Sequence, residues 1–150
     1  MGNLRLLLVD DEERFLATTK ILLDKRGADT FTASCGPDAL EILAQHAIDV
    51  VILDVKMPGM DGVEVLRKIK REHPLVEVLM LTGHASVESA VEGLKLGAFD
   101  YLMKPCEIPR LLEKANEACA QKRAKEEKIR RARVDRIISH PMAVFEDDER

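Results

Sequence analysis

The sequence lacks long apolar runs and has few of the residues that build disulfide or metal frameworks. No segment of its 150 residues approaches the roughly 20 apolar residues that span a membrane. The first ten residues enter a strand pattern directly, which predicts no signal peptide and a cytoplasmic location. The four histidines are scattered, without metal-ligand spacing. Cys35, Cys106 and Cys119 are odd in number and include no C-x-x-C pair, so we expect reduced thiols.

Charge is distributed unevenly along the chain. Residues 1–120 carry 14 basic and 20 acidic side chains, a net charge of -6. Residues 121–150 carry 9 basic and 7 acidic side chains, a net charge of +2. Because an acidic surface repels phosphates, we do not expect general nucleic-acid binding. The basic stretch 122–133 leaves such binding as a weaker alternative, which the acids around it offset.

The stretch 49–54, DVVILD, is the centre of the predicted fold. It contains four consecutive apolar residues, three of them β-branched, which is typical of a strand buried on both faces in a parallel sheet. The run ends at Asp54, and the pair Pro58-Gly59 then predicts a loop. Ligands of open α/β sheets bind outside the carboxyl ends of the strands, so we expect the chemistry at Asp54.

Five predicted strands alternate with five predicted helices. The strands lie at 4–9, 28–32, 49–54, 76–81 and 98–103. The first helix ends at Gly27, the second runs to about His46, and the third begins near Val63 and stops before Pro74. The fourth helix runs from Ser86 to Gly97, and the last begins near Glu107. The predicted inward faces are Phe15, Leu16, Thr19, Leu22 and Leu23 in the first helix, and Val87, Ala90, Val91 and Leu94 in the fourth. This alternation predicts one domain over residues 3–120, a five-stranded parallel sheet with helices on both faces.

The last helix changes character beyond residue 120. Residues 121–136 hold 8 basic and 3 acidic side chains, and the apolar stripe lapses from Ala120 to Lys128. We therefore predict a charged helical extension or linker over 121–140 and an acidic, disordered tail over 141–150, with Pro141 ending the helix. The lapse in the stripe argues against a strong heptad coiled coil.

Polar side chains follow the ends of four predicted strands. They are Asp10 and Asp11 after the first strand, Asp54 after the third, Thr82 after the fourth and Lys104 after the fifth. The carboxyl ends of parallel strands share one edge of a sheet, so these side chains should meet. Neighbouring carboxylates repel, and a hard divalent cation such as Mg²⁺ together with a lysine would relieve the repulsion. A cation, a lysine, an oxygen nucleophile and a hydroxyl donor suit phosphoryl transfer.

Four pieces of sequence carry a family resemblance. They are LVDDE at 8–12, LDVKMPGMDG at 53–62, LTGH at 81–84 and GAFDYLMKP at 97–105. The chain resembles the receiver domains of two-component response regulators over about residues 3–120. The run GAFDYL, with TGHA before it, resembles especially the receivers of the nitrogen-regulation class of transcriptional activators. The resemblance implies a flavodoxin-like, doubly wound (βα)5 sheet.

The resemblance also implies a phosphorylation site that uses Mg²⁺. Asp54 would accept a phosphoryl group from the phosphohistidine of a sensor histidine kinase. Asp11 and Asp54, with the backbone carbonyl of Lys56, would ligate Mg²⁺, and Asp10 would hold a metal-bound water. Lys104 would pair with the acyl phosphate.

The same resemblance implies a switch beside that site. Thr82 would move to bind the phosphoryl group, and Tyr101 would follow it inward. The surface of the fourth helix, fifth strand and fifth helix would change in response, as a two-state switch requires. The bond between Lys104 and Pro105 would be a cis peptide.

Two positions near the acceptor, Lys56 and His84, are variable in the family. We hypothesise that Lys56 and His84 tune water access to the acyl phosphate and therefore its lifetime. The alternative is that both side chains point to solvent. Gly83 is small and leaves room for the phosphoryl group.

Other interpretations of the site residues remain open. Asp10 and Asp11 alone could cap a helix, and Tyr101 could be structural. Aspartyl-phosphate phosphatases also use a strand-end aspartate, but they need a second acid two residues later, where this chain has Lys56. We therefore expect no enzyme beyond self-phosphorylation and autodephosphorylation. A degenerate receiver that only binds proteins is disfavoured, because no site residue is missing.

The output of the switch has two interpretations. The chain is either a stand-alone receiver that controls a downstream protein, or a receiver piece of a larger activator. In the nitrogen-regulation class the last helix extends and pairs receivers into dimers. We therefore expect a weak or phosphorylation-dependent homodimer.

Overall fold

The computed structural model describes residues 2–57, 60–83 and 87–139. Within these ranges the strands are β1 (Arg5–Val9), β2 (Asp29–Ala33), β3 (Val50–Leu53), β4 (Lys56–Met57), β5 (Met60–Asp61), β6 (Glu77–Thr82) and β7 (Asp100–Met103). The helices are α1 (Glu13–Lys25), α2 (Gly36–Gln45), α3 (Gly62–Glu72), α4 (Val87–Lys95) and α5 (Ile108–Ser139). The predicted alternation of strands and helices is confirmed, with boundaries moved by a few residues.

Five strands form one parallel sheet in the order β2-β1-β3-β6-β7. β3 lies at the centre, with Leu53 opposite Val9 on one side and Met80 on the other. All the strands point the same way, so their carboxyl ends share one edge of the sheet. The predicted five-stranded parallel sheet with helices is confirmed.

Two apolar clusters fill the space on either side of the sheet. Alternate residues of β1 show the division, because Leu7 packs with α2 and α3 whereas Leu6 and Leu8 pack with α1 and α5. The four apolar residues of β3 are divided between the clusters in the same way and are all buried. Burying one leucine side chain fully contributes about 1.5–3 kcal/mol to the free energy of folding. The sheet is therefore a rigid support for the side chains at its edge.

Two glycines end helices where the sequence predicts it. Gly27 and Gly97 adopt φ angles of +93° and +107°, which L side chains rarely adopt. Their backbone N–H groups donate to carbonyls of the last turns of α1 and α4. Ser86, which we expect to cap α4, lies outside the described residues.

The segment after Asp54 differs from the prediction. In place of a simple loop, β4 and β5 form a small antiparallel hairpin, with Lys56 opposite Asp61. Each strand has only two residues, which is too short for an alternating apolar pattern. Pro58 and Gly59, between the two strands, lie outside the described residues.

Helices α1 and α4 bury a narrower face than the sequence pattern predicts. In α1 the buried residues are Leu16, Thr19 and Leu23, whereas Leu22 is 40% exposed. Val91 and Leu94 of α4 are 44% and 46% exposed. One turn of a helix buries a narrow stripe, so a leucine one residue beside the stripe points about 100° away from it.

The last helix is a single element of 32 residues, about 48 Å long at 1.5 Å per residue. It passes residue 120 without a break and buries Lys122 in its next turn. Further along, its apolar side chains are exposed, including Ile129, Ile137 and Ile138. Within the described part of the chain, no helix is long and apolar enough to cross a membrane. The predicted tail at 141–150 lies outside it.

Ion pairs to two buried carboxylates join α5 to the amino-terminal edge of the sheet. Asp49 is 1% exposed and accepts from the Arg5 guanidinium at 3.0 Å and from Lys122 Nζ at 3.2 Å. Glu77 is equally buried and accepts from Lys125 Nζ at 3.0 Å. We call these five residues the basal cluster. Burial raises the pKa of the Asp49 carboxyl, but hydrogen bonds from Arg5 and Lys122 outweigh it and leave the pKa below its usual range.

Candidate functional site

Three aspartates meet at the carboxyl edge of the sheet. Asp10 follows β1 and is 2% exposed, Asp54 follows β3 and is 5% exposed, and Asp11 is exposed. The backbone N–H of Asp54 donates to the Val9 carbonyl at 2.9 Å, so the β1–β3 ladder continues to the acid itself. One carboxylate oxygen from each aspartate lies within 4.8 Å of the others. The structure therefore brings together the three carboxylates that the strand ends predict.

The acidic cluster fits a hard divalent cation. Carboxylate oxygens are the donors that Mg²⁺ prefers, and Mg²⁺ is commonly held by one or two carboxylates plus water. Burial raises the pKa of the Asp10 carboxyl, and the charge of Asp54 raises it further. A hydrogen bond from Lys104 opposes this shift without cancelling it. Additional positive charge at this point would therefore stabilise the ionised carboxylates.

Lys104 supplies a cation from the end of β7. Its Nζ lies 2.5 Å from Asp10 Oδ2, 3.4 Å from Glu12 Oε1 and 3.8 Å from Asp54 Oδ2. Burial lowers the pKa of this lysine, but the hydrogen bond to Asp10 and the surrounding carboxylates raise it above the ordinary value. The Lys104-Pro105 peptide bond is cis. Lys104 is therefore protonated and linked to both buried aspartates.

The Lys104 ammonium also lies over an aromatic ring. Its Nζ is 4.2 Å from the centroid of Phe15, which stands in the first turn of α1. The helical pattern assigns Phe15 only to the core, and its ring does pack against the cluster under α1 and α5. The contact with Lys104 could not be predicted from the sequence. The two residues are 89 positions apart, and the helical pattern does not show which distant side chain lies over the ring.

Thr82 and Tyr101 lie on neighbouring strands. Thr82 ends β6 and is fully buried, and its carbonyl accepts from the Lys104 N–H at 3.0 Å. Tyr101 is opposite Met80 in the sheet and is partly buried. Its hydroxyl oxygen is buried and makes no hydrogen bond to any part of the chain that the structure describes. The two side chains therefore lie on adjoining strands, and their role in a switch stays a prediction.

Gly62 allows the chain after Asp54 to fold back closely. A Cβ added there would lie 2.5 Å from the Asp54 carbonyl oxygen and from backbone atoms of Val55. The Gly62 N–H donates to the Val55 carbonyl at 2.8 Å, and Asp61 caps α3 by accepting from the Val63 N–H. Sequence reasoning gave Gly62 no role, although an Asp-Gly pair before a helix was the available signal.

The tuning hypothesis falls mostly outside the described residues. Lys56 belongs to β4, but its side chain and the whole of His84 are not described. The role of the Lys56 carbonyl as a metal ligand stays a prediction. Gly83 is exposed, and among the described residues an added Cβ would meet only the Lys104 Cβ, at 3.9 Å.

Residues 6–116 match the family described as the response regulator receiver domain. The chain belongs to this family. The fold class and the site at the strand ends, described above, agree with that membership.

Curated relatives narrow the class within the family. The transcriptional regulatory protein ZraR of Salmonella typhimurium is 39% identical over 122 residues, which is 81% of this chain and 28% of the relative. An NtrX-like response regulator of Rickettsia bellii is 36% identical over 131 residues, covering 86% of this chain and 27% of the relative. The predicted resemblance to the nitrogen-regulation class is confirmed. The chain spans less than a third of the length of these relatives.

Solved structures show the same fold. A CheY-like receiver domain protein from Methanospirillum hungatei superposes with a TM-score of 0.79 at 32% identity, covering 83% of this chain and 99% of that one. NtrX from Brucella abortus superposes with a TM-score of 0.78 at 33% identity, covering 85% of this chain and 29% of that one.

Proposed function

We propose that this chain is a receiver that switches when Asp54 accepts a phosphoryl group from the phosphohistidine of a sensor histidine kinase. The observation that carries the proposal is the meeting of three carboxylates, a lysine and a buried threonine at one edge of the sheet. Asp54 follows the central strand, and its neighbours are β1, which Asp10 follows, and β6, which ends at Thr82. That position supports Asp54 as the acceptor, because it places polar groups on both sides of the carboxylate.

The transfer uses groups that the chain holds in place. A carboxylate oxygen of Asp54 attacks the phosphorus and forms the new O–P bond. The P–N bond breaks, and its electron pair stays on the imidazole nitrogen of the donor, which takes up a proton. Lys104, already 3.8 Å from Asp54 Oδ2, pairs with a phosphoryl oxygen. The hydroxyl of Thr82 donates a hydrogen bond to another phosphoryl oxygen.

We propose that Mg²⁺ is held by Asp11, Asp54 and the Lys56 carbonyl. Asp10 would hold a metal-bound water. When bound, the ion supplies positive charge that stabilises the phosphoryl oxygens during transfer. The close carboxylates and the raised pKa of Asp10 support this assignment. Without such a cation, only Lys104 offsets the negative charge at this edge among the residues the structure describes.

Phosphorylation would change the face formed by α4, β7 and α5. When Thr82 moves toward the phosphoryl group, it leaves space behind it. Tyr101, on the neighbouring strand β7, fills that space. The exposed apolar side chains Val91, Leu94 and Met103 lie on these elements. A downstream protein or a linked output domain would detect the altered surface.

We propose no turnover of external substrates. Phosphoryl acceptance and hydrolysis of the resulting acyl phosphate are the only reactions, because Lys56 occupies the position of the second acid in aspartyl-phosphate phosphatases. We place the protein in the cytoplasm, where a histidine kinase presents its phosphohistidine. A weak or phosphorylation-dependent homodimer through α5 completes the proposal.

The test is intact mass after incubation with Mg²⁺ and acetyl phosphate. We expect the parent to gain one phosphoryl group, and we expect Asp54→Asn or EDTA to abolish the gain. Asp38→Asn, which changes an exposed aspartate on α2, is the matched control and should be phosphorylated like the parent. A parent that binds Mg²⁺ without gaining mass would indicate a degenerate receiver that acts as a protein-binding module.

A further inference from the structure

We propose that Phe15 is a positioning residue for Lys104, whose ammonium it holds at the edge of the sheet with the face of its ring. The observation is the 4.2 Å distance between Lys104 Nζ and the ring centroid. The proposal deepens the function proposed above, since Lys104 is the group that pairs with the phosphoryl oxygens.

The surroundings of Lys104 explain why it needs positioning. Its side chain is long and flexible, and three carboxylates compete for it: Asp10 at 2.5 Å, Glu12 at 3.4 Å and Asp54 at 3.8 Å. The Glu12 side chain is 67% exposed, so pairing with it alone would draw the ammonium toward solvent. Carboxylates attract a cation from any direction around their oxygens, whereas an aromatic ring attracts it only over its face. The ring therefore contributes direction as well as attraction.

Phe15 is well fixed for this role. It stands in the first turn of α1, a few residues after Asp10 and Asp11, so its backbone is tied to the strand that carries the acids. The Leu16 N–H donates to the Glu12 carbonyl at 3.1 Å, which closes that turn. Its partly buried ring packs against the core cluster under α1 and α5. A phenylalanine has only two side-chain torsions, so its ring needs less ordering than a long flexible side chain.

The test compares two substitutions that differ in the ring face. Phe15→Leu keeps an apolar side chain in the core but removes the ring, whereas Phe15→Tyr keeps it. With Mg²⁺ and acetyl phosphate, we expect Phe15→Leu to slow phosphorylation of Asp54 about two- to fivefold, as loss of a cation–π contact implies. Phe15→Tyr should retain the parental rate. In a Lys104→Ala background, Phe15→Leu should change the rate no further.

A second measurement needs no phosphorylation. The ring current of Phe15 should move the ε-methylene protons of Lys104 upfield in the proton NMR spectrum of the metal-free protein. The resonance is assigned by its loss in Lys104→Ala. It should return to the ordinary lysine position in Phe15→Leu and stay upfield in Phe15→Tyr.

The two measurements separate the two proposals. If the parent gains no phosphoryl group, the proposed function fails, and the Lys104 resonance still decides whether the ring holds the ammonium. An unshifted resonance in the parent overturns the contact. Equal phosphorylation rates for Phe15→Leu and the parent overturn the positioning role, whatever the resonance shows.

Discussion

Gly62 allows the backbone to pass close to Asp54. A methyl group there would meet the carbonyl oxygen of Asp54 and backbone atoms of Val55 at 2.5 Å, so no side chain can rotate to make room. We expect Gly62→Ala to destabilise the fold by about 1–3 kcal/mol or more, as overpacking does. It should also slow phosphorylation, because the backbone that carries Asp54 must shift. Urea unfolding and intact mass measure the two effects.

Gly83→Ala is the matched control for Gly62→Ala. Gly83 also lies beside the site, but a Cβ added there would make one ordinary contact with the described part of the chain, 3.9 Å from the Lys104 Cβ. We expect its stability to stay within about 0.5 kcal/mol of the parent. Equal stability of the two variants would contradict the role given to Gly62.

Residues at the site were predictable where the backbone determines their position. Asp10, Asp54 and Lys104 follow strands, and parallel strands bring their carboxyl ends together whatever the side chains do. The contact between Phe15 and Lys104 depends on side-chain torsions across two distant elements, so the sequence pattern could not reveal it. The close approach at Gly62 likewise depends on a hairpin that the pattern is too short to show.

At the scale of elements, the first turns of the extension in α5 are fixed by the basal cluster. Lys122 is 8% exposed and contacts the buried carboxylate of Asp49. We expect Lys122→Met to destabilise the protein by about 1–3 kcal/mol, because a buried acceptor loses a partner while Arg5 remains. The amide protons of α5 beyond residue 120 should also exchange faster. Urea unfolding and hydrogen exchange measure these changes.

Lys128→Met controls for the loss of a lysine from the same helix. Lys128 is exposed, so its replacement should leave both stability and exchange close to the parent. If Lys122→Met and Lys128→Met behaved alike, the basal cluster would not fix the helix.

The basal cluster shows where prediction of the elements stopped. The charged stretch after residue 120 indicated a helix but not its partners, because charge runs usually face solvent. The sequence pattern assigns Asp49 and Glu77 only to strands. Only the sheet order brings the beginnings of β1, β3 and β6 together beneath one turn of α5, where the lysines pair with buried carboxylates.

At the scale of the whole molecule, we expect association of two copies through the exposed end of α5. Ile137 and Ile138 are 47% and 73% exposed there, and a second copy would cover them. Light scattering after size exclusion should show a mass that rises with protein concentration and with a phosphate mimic. Ile138→Ser should lower that mass toward the monomer.

Arg133→Ser is the control, since Arg133 is an exposed polar residue on the same helix. It should associate like the parent. Monomeric mass in the parent at every concentration, with and without the mimic, would contradict pairing through α5.

The basal cluster and the candidate site lie at opposite ends of the same three strands. Arg5 and Asp10, Asp49 and Asp54, and Glu77 and Thr82 are pairs five positions apart, about 16 Å along a strand. α5 is therefore held at the ends of the strands that lie opposite to the site. We expect it to move with the sheet as a rigid body. We expect a spin label near Ser139 to tumble at the same rate as the domain. The sheet would then set the orientation of anything joined to that end of α5.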